Sequence, residues 1–358
     1  MSDQPLASAA PAADFYSPRE LLYITPAGRR LSDYEAVICH VQPDFSQYDI
    51  GDWFLRSPTG HGVFEQTSTR LRHPNWFEYR DPGAVWQRPY TRQQAEEERA
   101  IDRAVSVARD IGIFTEIHPD WHRVLATVYE GWACAELGIF LALSRSVRPA
   151  LSDTISMALV FAAVDRLRHQ QGIALLALDL EAELAGYPAR IGVQTWVEYP
   201  AYQPVRELVE RLMVTQDWAE TAFVVNYLFD PLITSCVTDR FLRRFAPSHG
   251  DIVTPHLLLS AERARRRHHL ALTAFVEMVL TDSDRRGNRV PSEDNRRVLQ
   301  QWVDSWAPDI LNAVTLLAPI FDVPTVPPGA AKLAAAHVVS ECGKQLLRYG
   351  LELPSDKH

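Results

Sequence analysis

Cysteine is scarce in this 358-residue chain. The four copies, Cys39, Cys134, Cys236 and Cys342, never fall in a C-x-x-C spacing. That excludes a disulfide framework and a zinc ribbon, and a reducing, cytoplasmic setting fits. Net positive charge is lacking too: the balance is −9, which argues against a general nucleic-acid binder. No G-x-S-x-G, Walker A or G-x-G-x-x-G pattern occurs, so nothing marks a nucleophile elbow or a phosphate cradle. The N-terminus has no basic segment leading into an apolar run, so a signal peptide is not expected. No apolar run is read as reaching the roughly 18 residues that a membrane helix needs. Alternation of useful length, the mark of strands, is missing as well.

What is present divides the chain by texture. Residues 1–14, rich in Ala, Ser and Pro, read as disordered. Residues 15–90 carry Pro18, Pro26, Pro43, Pro58, Pro74, Pro82 and Pro89 among Trp53, Trp76, Trp86 and many Tyr and Phe. Prolines that frequent forbid a long helix. Aromatics that dense call for a surface to lie on. The segment therefore reads as an extended arm, packed on a partner subunit or on its own domain, with the partner favoured because Trp, Tyr and Arg are the usual interface anchors.

From Thr91 the texture is helical, and residues 91–322 are expected to form one helical domain. Acidic Glu96 to Glu98 open a helix over Gln93–Ile113, as the helix dipole prefers. Pro119 suits the first turn of a helix reaching about Arg145. Further helices are expected from Pro149 to about Leu184, over Val205–Val214, from Asp217 to Pro247 with a kink or turn at Pro231, across 251–282, and over Asn295–Phe321 behind a Ser292 cap. Residues 323–358 hold a last helix, about Ala330–Tyr349, and a tail.

Two stretches echo each other. Arg166-Leu167-Arg168-His169 and Arg265-Arg266-Arg267-His268 each place an arginine and a histidine at i and i+3, on one helix face. With Glu in the first position each would be Glu-x-x-His, half of a carboxylate-bridged two-metal site in a four-helix bundle. Arginine has no acceptor atom and stays protonated, so it cannot ligate a metal. The pattern reads as a bundle of the di-iron type whose metal site has been lost. Other candidates are weaker. His118 and His122 form an H-x-x-x-H without a third ligand. Cys134 and Cys236 read as small core residues. Glu136, Asp165, Glu181 and Glu220 read as ion-pair or interface carboxylates. The basic knot Arg263 and Arg265 to Arg267 reads as a solvated helix face or, alternatively, a nucleic-acid contact.

Further residues carry a family resemblance over roughly 30–322. They are Tyr34-Glu35; His73-Pro74-Asn75-Trp76-Phe77-Glu78-Tyr79-Arg80-Asp81-Pro82, with Tyr90 and Gln94; Asp217-Trp218-Ala219-Glu220, Asn226 and Asp230-Pro231-Leu232; His249-Gly250-Asp251 with Thr254-Pro255; and Asn295 with Trp302 and Trp306. In that order they resemble the β subunit of the hydroxylase component of soluble bacterial multicomponent di-iron monooxygenases, which oxidise methane, propane, alkenes, toluene or phenol. The resemblance implies an all-α, ferritin-like bundle. In the catalytic α subunits of that family each half-site supplies one Glu and then Glu-x-x-His. Here Glu136, His169 and His268 match, Arg166 and Arg265 replace two carboxylates, and about Val225 replaces the third. The implied role is a non-catalytic structural subunit with no metal, cofactor or catalytic residue of its own. It would assemble with the di-iron α subunit as αβγ or its dimer, where a γ subunit exists. An effector protein would dock there, and an FAD and 2Fe-2S reductase would supply electrons from NADH. Alkene epoxidation is the expected type, or propane or aromatic oxidation. A stand-alone ferritin-like metalloprotein and a helical interaction module are the alternatives. If metal no longer neutralises Glu136, a buried pair with Arg166 is the expected replacement.

Overall fold

The computed structural model describes residues 26, 28, 30–38, 66–188, 190–283 and 289–354. In chain order the elements are α1 (Asp33–Ile38), α2 (Gln87–Asp110), α3 (Ile113–Glu116), α4 (Pro119–Val147), α5 (Asp153–Glu183), α6 (Gly192–Glu198), α7 (Gln203–Val214), α8 (Trp218–His249) and α9 (Thr254–Val279). A two-stranded hairpin follows, β1 (Thr281–Ser283) and β2 (Arg289–Pro291), then α10 (Glu293–Leu316) and α11 (Ala330–Leu347).

Local chemistry sets most of these ends. Pro119 sits in the first turn of α4, and the His118 ring accepts from the Asp120 amide. Ser152 caps α5 by accepting from the Ile155 amide at 3.3 Å. Asp217 caps α8 by accepting from the amides of Ala219 and Glu220. Ser292 precedes α10 as expected but makes no side-chain cap bond. Asn295, one turn in, instead accepts from the Arg72 amide and donates to the carbonyls of Arg72 and Val279. Gly250 turns the chain between α8 and α9 at φ 80°, where a Cβ would lie 2.7 Å from the Glu116 carbonyl oxygen. Asp251 then holds the turn, accepting from the Val253 and Thr254 amides and from the Trp121 indole N–H at 2.9 Å.

α4 packs on α5, α5 on α9, α9 on α8 and α8 back on α4, which closes a four-helix ring. Short links, residues 148–152 and 250–253, make α4–α5 and α8–α9 hairpins. α7 and α10 cover one side of the ring, α11 lies on α8, and α2 lies on α9. Trp121, Trp132, Trp218, Trp302 and Trp306 are fully buried. Each such ring is worth about 4–6 kcal/mol of apolar burial. Gly138 lets α7 approach α4: a Cβ there would lie 2.1 Å from Val209 Cγ1.

Three expectations change. No turn opens at Pro231, and the helix runs on through it. The chain widens to π-helical turns from Val225 to Leu242, and a shorter π segment, Leu125–Tyr129, interrupts α4. Proline removes the amide that would bond the Tyr227 carbonyl four residues back. The Cys342 thiol of α11 donates to that carbonyl at 3.3 Å. Second, the helix expected from Gln93 begins at Gln87 and takes Pro89 into its first turn, so the arm as drawn to residue 90 ends too late. The described part of the arm also packs on its own bundle. Trp76 stacks on Phe275 and meets Trp218 edge-on, and the Tyr79 hydroxyl donates to the Ala271 carbonyl. Ser32 and Glu35 form a reciprocal capping box on α1, and Glu35 pairs with Arg80 at 3.1 Å. Trp53, most of the 15–65 part of the arm expected over 15–90, and residues 1–14 lie outside the described residues. Third, α4 and α8 are long and apolar enough to cross a bilayer by length and composition, with mean hydropathies of 1.4 and 1.2. Both serve here as bundle core, 83% of the apolar window of α8 being buried.

Candidate functional site

The bundle interior holds two polar networks, and adjacent residues of α5 start them. Arg166 faces α4 and α8. Its Nη1 donates to Glu136 Oε2 at 3.3 Å and its Nη2 to Asp230. Glu136 is fully buried, and its other oxygen accepts from the Trp132 indole at 2.9 Å. The same oxygen lies 3.1 Å from His169 Nδ1. Since a carboxylate only accepts, Nδ1 carries the proton, and Nε2 takes the Tyr129 hydroxyl at 3.3 Å. Burial alone would raise the Glu136 pKa. Arg166 and then His169 outweigh it and hold the carboxyl well below the usual range. Burial likewise works against the Arg166 charge, and Asp230 and Glu136 more than restore it.

Asp165 faces the opposite way, toward α2 and α9. It accepts from the Tyr90 hydroxyl at 2.8 Å and from His268 Nε2 at 2.7 Å, and it pairs with Arg267. Burial raises its pKa, but the His268 hydrogen bond and Arg267 bring it down to about 2. Burial pushes the His268 imidazole below its usual value, against the pull of Asp165.

The expected Glu136–Arg166 pair therefore exists, and His169 joins it. The second echo is split. His268 turns to Asp165, while Arg265 turns to Asp239 at 3.5 Å and donates to Thr238. Arg166 and Arg265 share one property, neutralisation by α8 carboxylates, Asp230 and Asp239. Val225 is a fully buried apolar residue at the start of the π-helical turns.

Asp230 had registered only as part of a motif, Asp239 not at all, and Asp165 only as a scattered carboxylate. The signal for Asp165 was its position beside the echo. The basic knot is paired within the chain: Arg263 with Glu97 and Arg266 with Glu262 on a solvent-exposed helix face, and Arg267 with buried Asp165. His118 is a helix cap, and His122 meets the Tyr187 ring edge-on. Glu181 pairs with exposed Arg190, and Glu220 accepts from Trp306 at 2.7 Å. Cys134 is partly buried and Cys236 buried; burial raises both thiols.

Two irons would need four carboxylates and two histidines at these positions. The donor set here does not fit: permanently protonated guanidiniums fill the space between Glu136 and Asp230 and stand against Asp239. Among the described residues no group of three or more His, Cys, Asp or Glu is arranged to hold a metal ion.

Residues 53–283 match the methane/phenol/alkene hydroxylase family profile. The chain belongs to this hydroxylase family. Several of its relatives are small, or beta, subunits. It is 28% identical over 320 residues to the propane 2-monooxygenase hydroxylase small subunit of Rhodococcus jostii, covering 88% of this chain and 85% of that one. It is 30% identical over 292 residues to the methane monooxygenase component A beta chain of Methylococcus capsulatus, covering 79% and 74%. In fold it superposes on a chain of the phenol hydroxylase of Pseudomonas sp. OX1 with a TM-score of 0.76 at 19% identity, covering 98% of each. Within the hydroxylase family's ferritin-like bundle, the motif residues gain physical roles: Asp217 caps α8, Asp251 and Gly250 make the α8–α9 turn, and Asn295 ties α9 to the 66–82 segment.

Proposed function

We propose that this chain is the structural, iron-free small subunit of a soluble hydrocarbon monooxygenase hydroxylase. It pairs with a larger di-iron subunit, in one copy or doubled, with or without a third subunit. The observation that carries the reading is Arg166 bonded to both Glu136 and Asp230 in the bundle interior. A cation fixed between two carboxylates occupies the volume and supplies the charge that a metal would, and it can neither ligate nor change oxidation state. Electrons from NADH, delivered through a flavin and iron–sulfur reductase, and a docking effector protein then act on the large subunit, in the cytoplasm. Short alkanes are the substrate class best supported, because four of the relatives are propane 2-monooxygenase small subunits. Alkene and aromatic oxidation are the neighbouring types.

The test is co-expression with the adjacent reading frames, followed by affinity capture on this chain and metal analysis of each fraction. The expected result is a larger partner bearing two Glu-x-x-His motifs, with iron only where that partner is present. NADH- and O2-dependent oxidation should require both chains. Stoichiometric iron on this chain alone, or its purification free of any partner, overturns the reading.

A further inference from the structure

Where α8 ends and α11 begins, a cavity of about 340 Å³ opens at the surface, lined by none of the residues of the two interior networks. Its polar lining is two arginines, Arg240 and Arg244 from α8, and the His337 imidazole from α11, with no carboxylate among the lining residues. In a chain of net charge −9 that is an unusual concentration of one sign. The nearby Glu341 carboxylate is engaged by Lys344 at 2.7 Å. The rest of the wall is apolar, with Phe245, Pro327, Pro328 and Leu333, the last 73% exposed.

The cations are only partly answered from within: Glu341, bonded to Lys344, also lies in the field of Arg240 and His337. Arg240 touches the His337 ring through Nη2, which uses one of its five donors. Its Nε–H is buried and has no acceptor among the described residues. A buried donor of a charged group left without an acceptor is costly. Arg244 makes no ion pair among the described residues, and its guanidinium carbon lies 5.8 Å from the centroid of the Phe245 ring. Ala330, the first residue of α11, also lines the cavity, and Gly329 before it has no side chain to cap the helix amides. Three positive features, of which two are guanidiniums, face one space with a greasy wall.

We infer that this cavity binds a small carboxylate carrying a short apolar tail, its head on Arg240 and Arg244 and its tail along Phe245, Pro328 and Leu333. Guanidinium forks suit a carboxylate head. The volume lies at the small end of ligand pockets, and a mostly apolar wall with a few convergent polar groups is their usual make-up. The site is independent of the subunit role proposed above and needs no iron.

The experiment is isothermal titration calorimetry on the full-length chain with hexanoate, hexan-1-ol and inorganic phosphate as separate probes. Hexanoate should bind saturably at one site. Hexan-1-ol, with the tail but no charge, and phosphate, with charge but no tail, should each bind at least about tenfold more weakly. Arg244→Gln, at an exposed position, and Arg240→Gln should each weaken hexanoate about tenfold, with melting temperatures confirming that both variants fold. No saturable hexanoate signal overturns the inference, as does unchanged affinity in both folded variants. Equal binding of hexan-1-ol would reveal a merely apolar hole, and equal binding of phosphate a site for any anion; each would overturn the ligand class assigned.

Discussion

At the scale of single residues, the interior of this bundle depends on charge balance. Glu136 and Asp230 share one cation, Arg166, and all three side chains are almost wholly out of water. Removing one partner of such a set leaves the others buried and unpaired, at a cost of about 3–5 kcal/mol, whereas neutralising all partners together is far milder. Arg166→Leu should therefore lower the urea midpoint severely. Adding Glu136→Gln and Asp230→Asn to the same chain should recover much of the loss. If the triple variant is no more stable than the single one, the balance is not what holds this region. The second network sets an acid limit. Asp165 titrates near 2 folded against 3.8 for the free side chain. Its contribution is complete above about pH 4 and disappears as pH falls toward 2. His268, its folded pKa depressed, adds in the same direction: the neutral ring favours the folded state, so stability begins to fall below about pH 6.5. Thermal unfolding followed from pH 7 to pH 3 should show a shallower acid slope for Asp165→Asn than for the parent, from a lower starting point. Identical slopes would remove Asp165 from the account. The pairing of Arg166 with Glu136 was readable only through the family resemblance, which sets Glu136 at a ligand position and Arg166 where a second carboxylate would stand. The second partner of Arg166 was not readable.

That gap has its cause at the scale of the helix. Sequence periodicity assumes 3.6 residues per turn, and α8 abandons it from Val225 onward, so the faces of Asp230 and Asp239 drift out of the register that pattern reading uses. Proline 231 announced a disturbance, but a kink and a widened helix leave the same mark in a sequence. Another element adds a donor to the Tyr227 carbonyl beside the proline, the Cys342 thiol, which burial keeps protonated by pushing its pKa up to about 12. Cys342→Ala should cost about 1–3 kcal/mol, since it both opens a small void and leaves the Tyr227 carbonyl without its thiol donor. Cys342→Ser, which keeps a donor, should cost less by the same urea titration. A serine variant as unstable as the alanine variant would show that only volume matters there. Helix ends were legible at some capped starts and not at others: the start of α5 was expected at Pro149 and falls at Asp153, behind the Ser152 cap. Pro119 and Asp217 were placed to the residue. Gln87 was missed because three residues of the first turn look like loop when one of them is proline.

For the whole molecule, the long helices and their order could be read from the chain, since caps, prolines and apolar spacing all agreed. The placement of the arm could not. Aromatic density demands a surface but does not say whose, and the described part found its own bundle, with Trp76 against Trp218 and Phe275. A packed core of this size, with five wholly buried tryptophans, is rigid enough to present a defined outer face to another subunit. Dialysis against EDTA should leave the melting temperature of the isolated chain unchanged. A drop of several degrees would reveal an ion that the side chains do not explain. The guanidinium at 166 comes off the ribosome already in place. Unlike a scavenged ion it cannot be stripped, poisoned by a competing metal or left unloaded when supply runs short. On the proposed reading this subunit would then be ready as soon as it folds, with no loading step of its own.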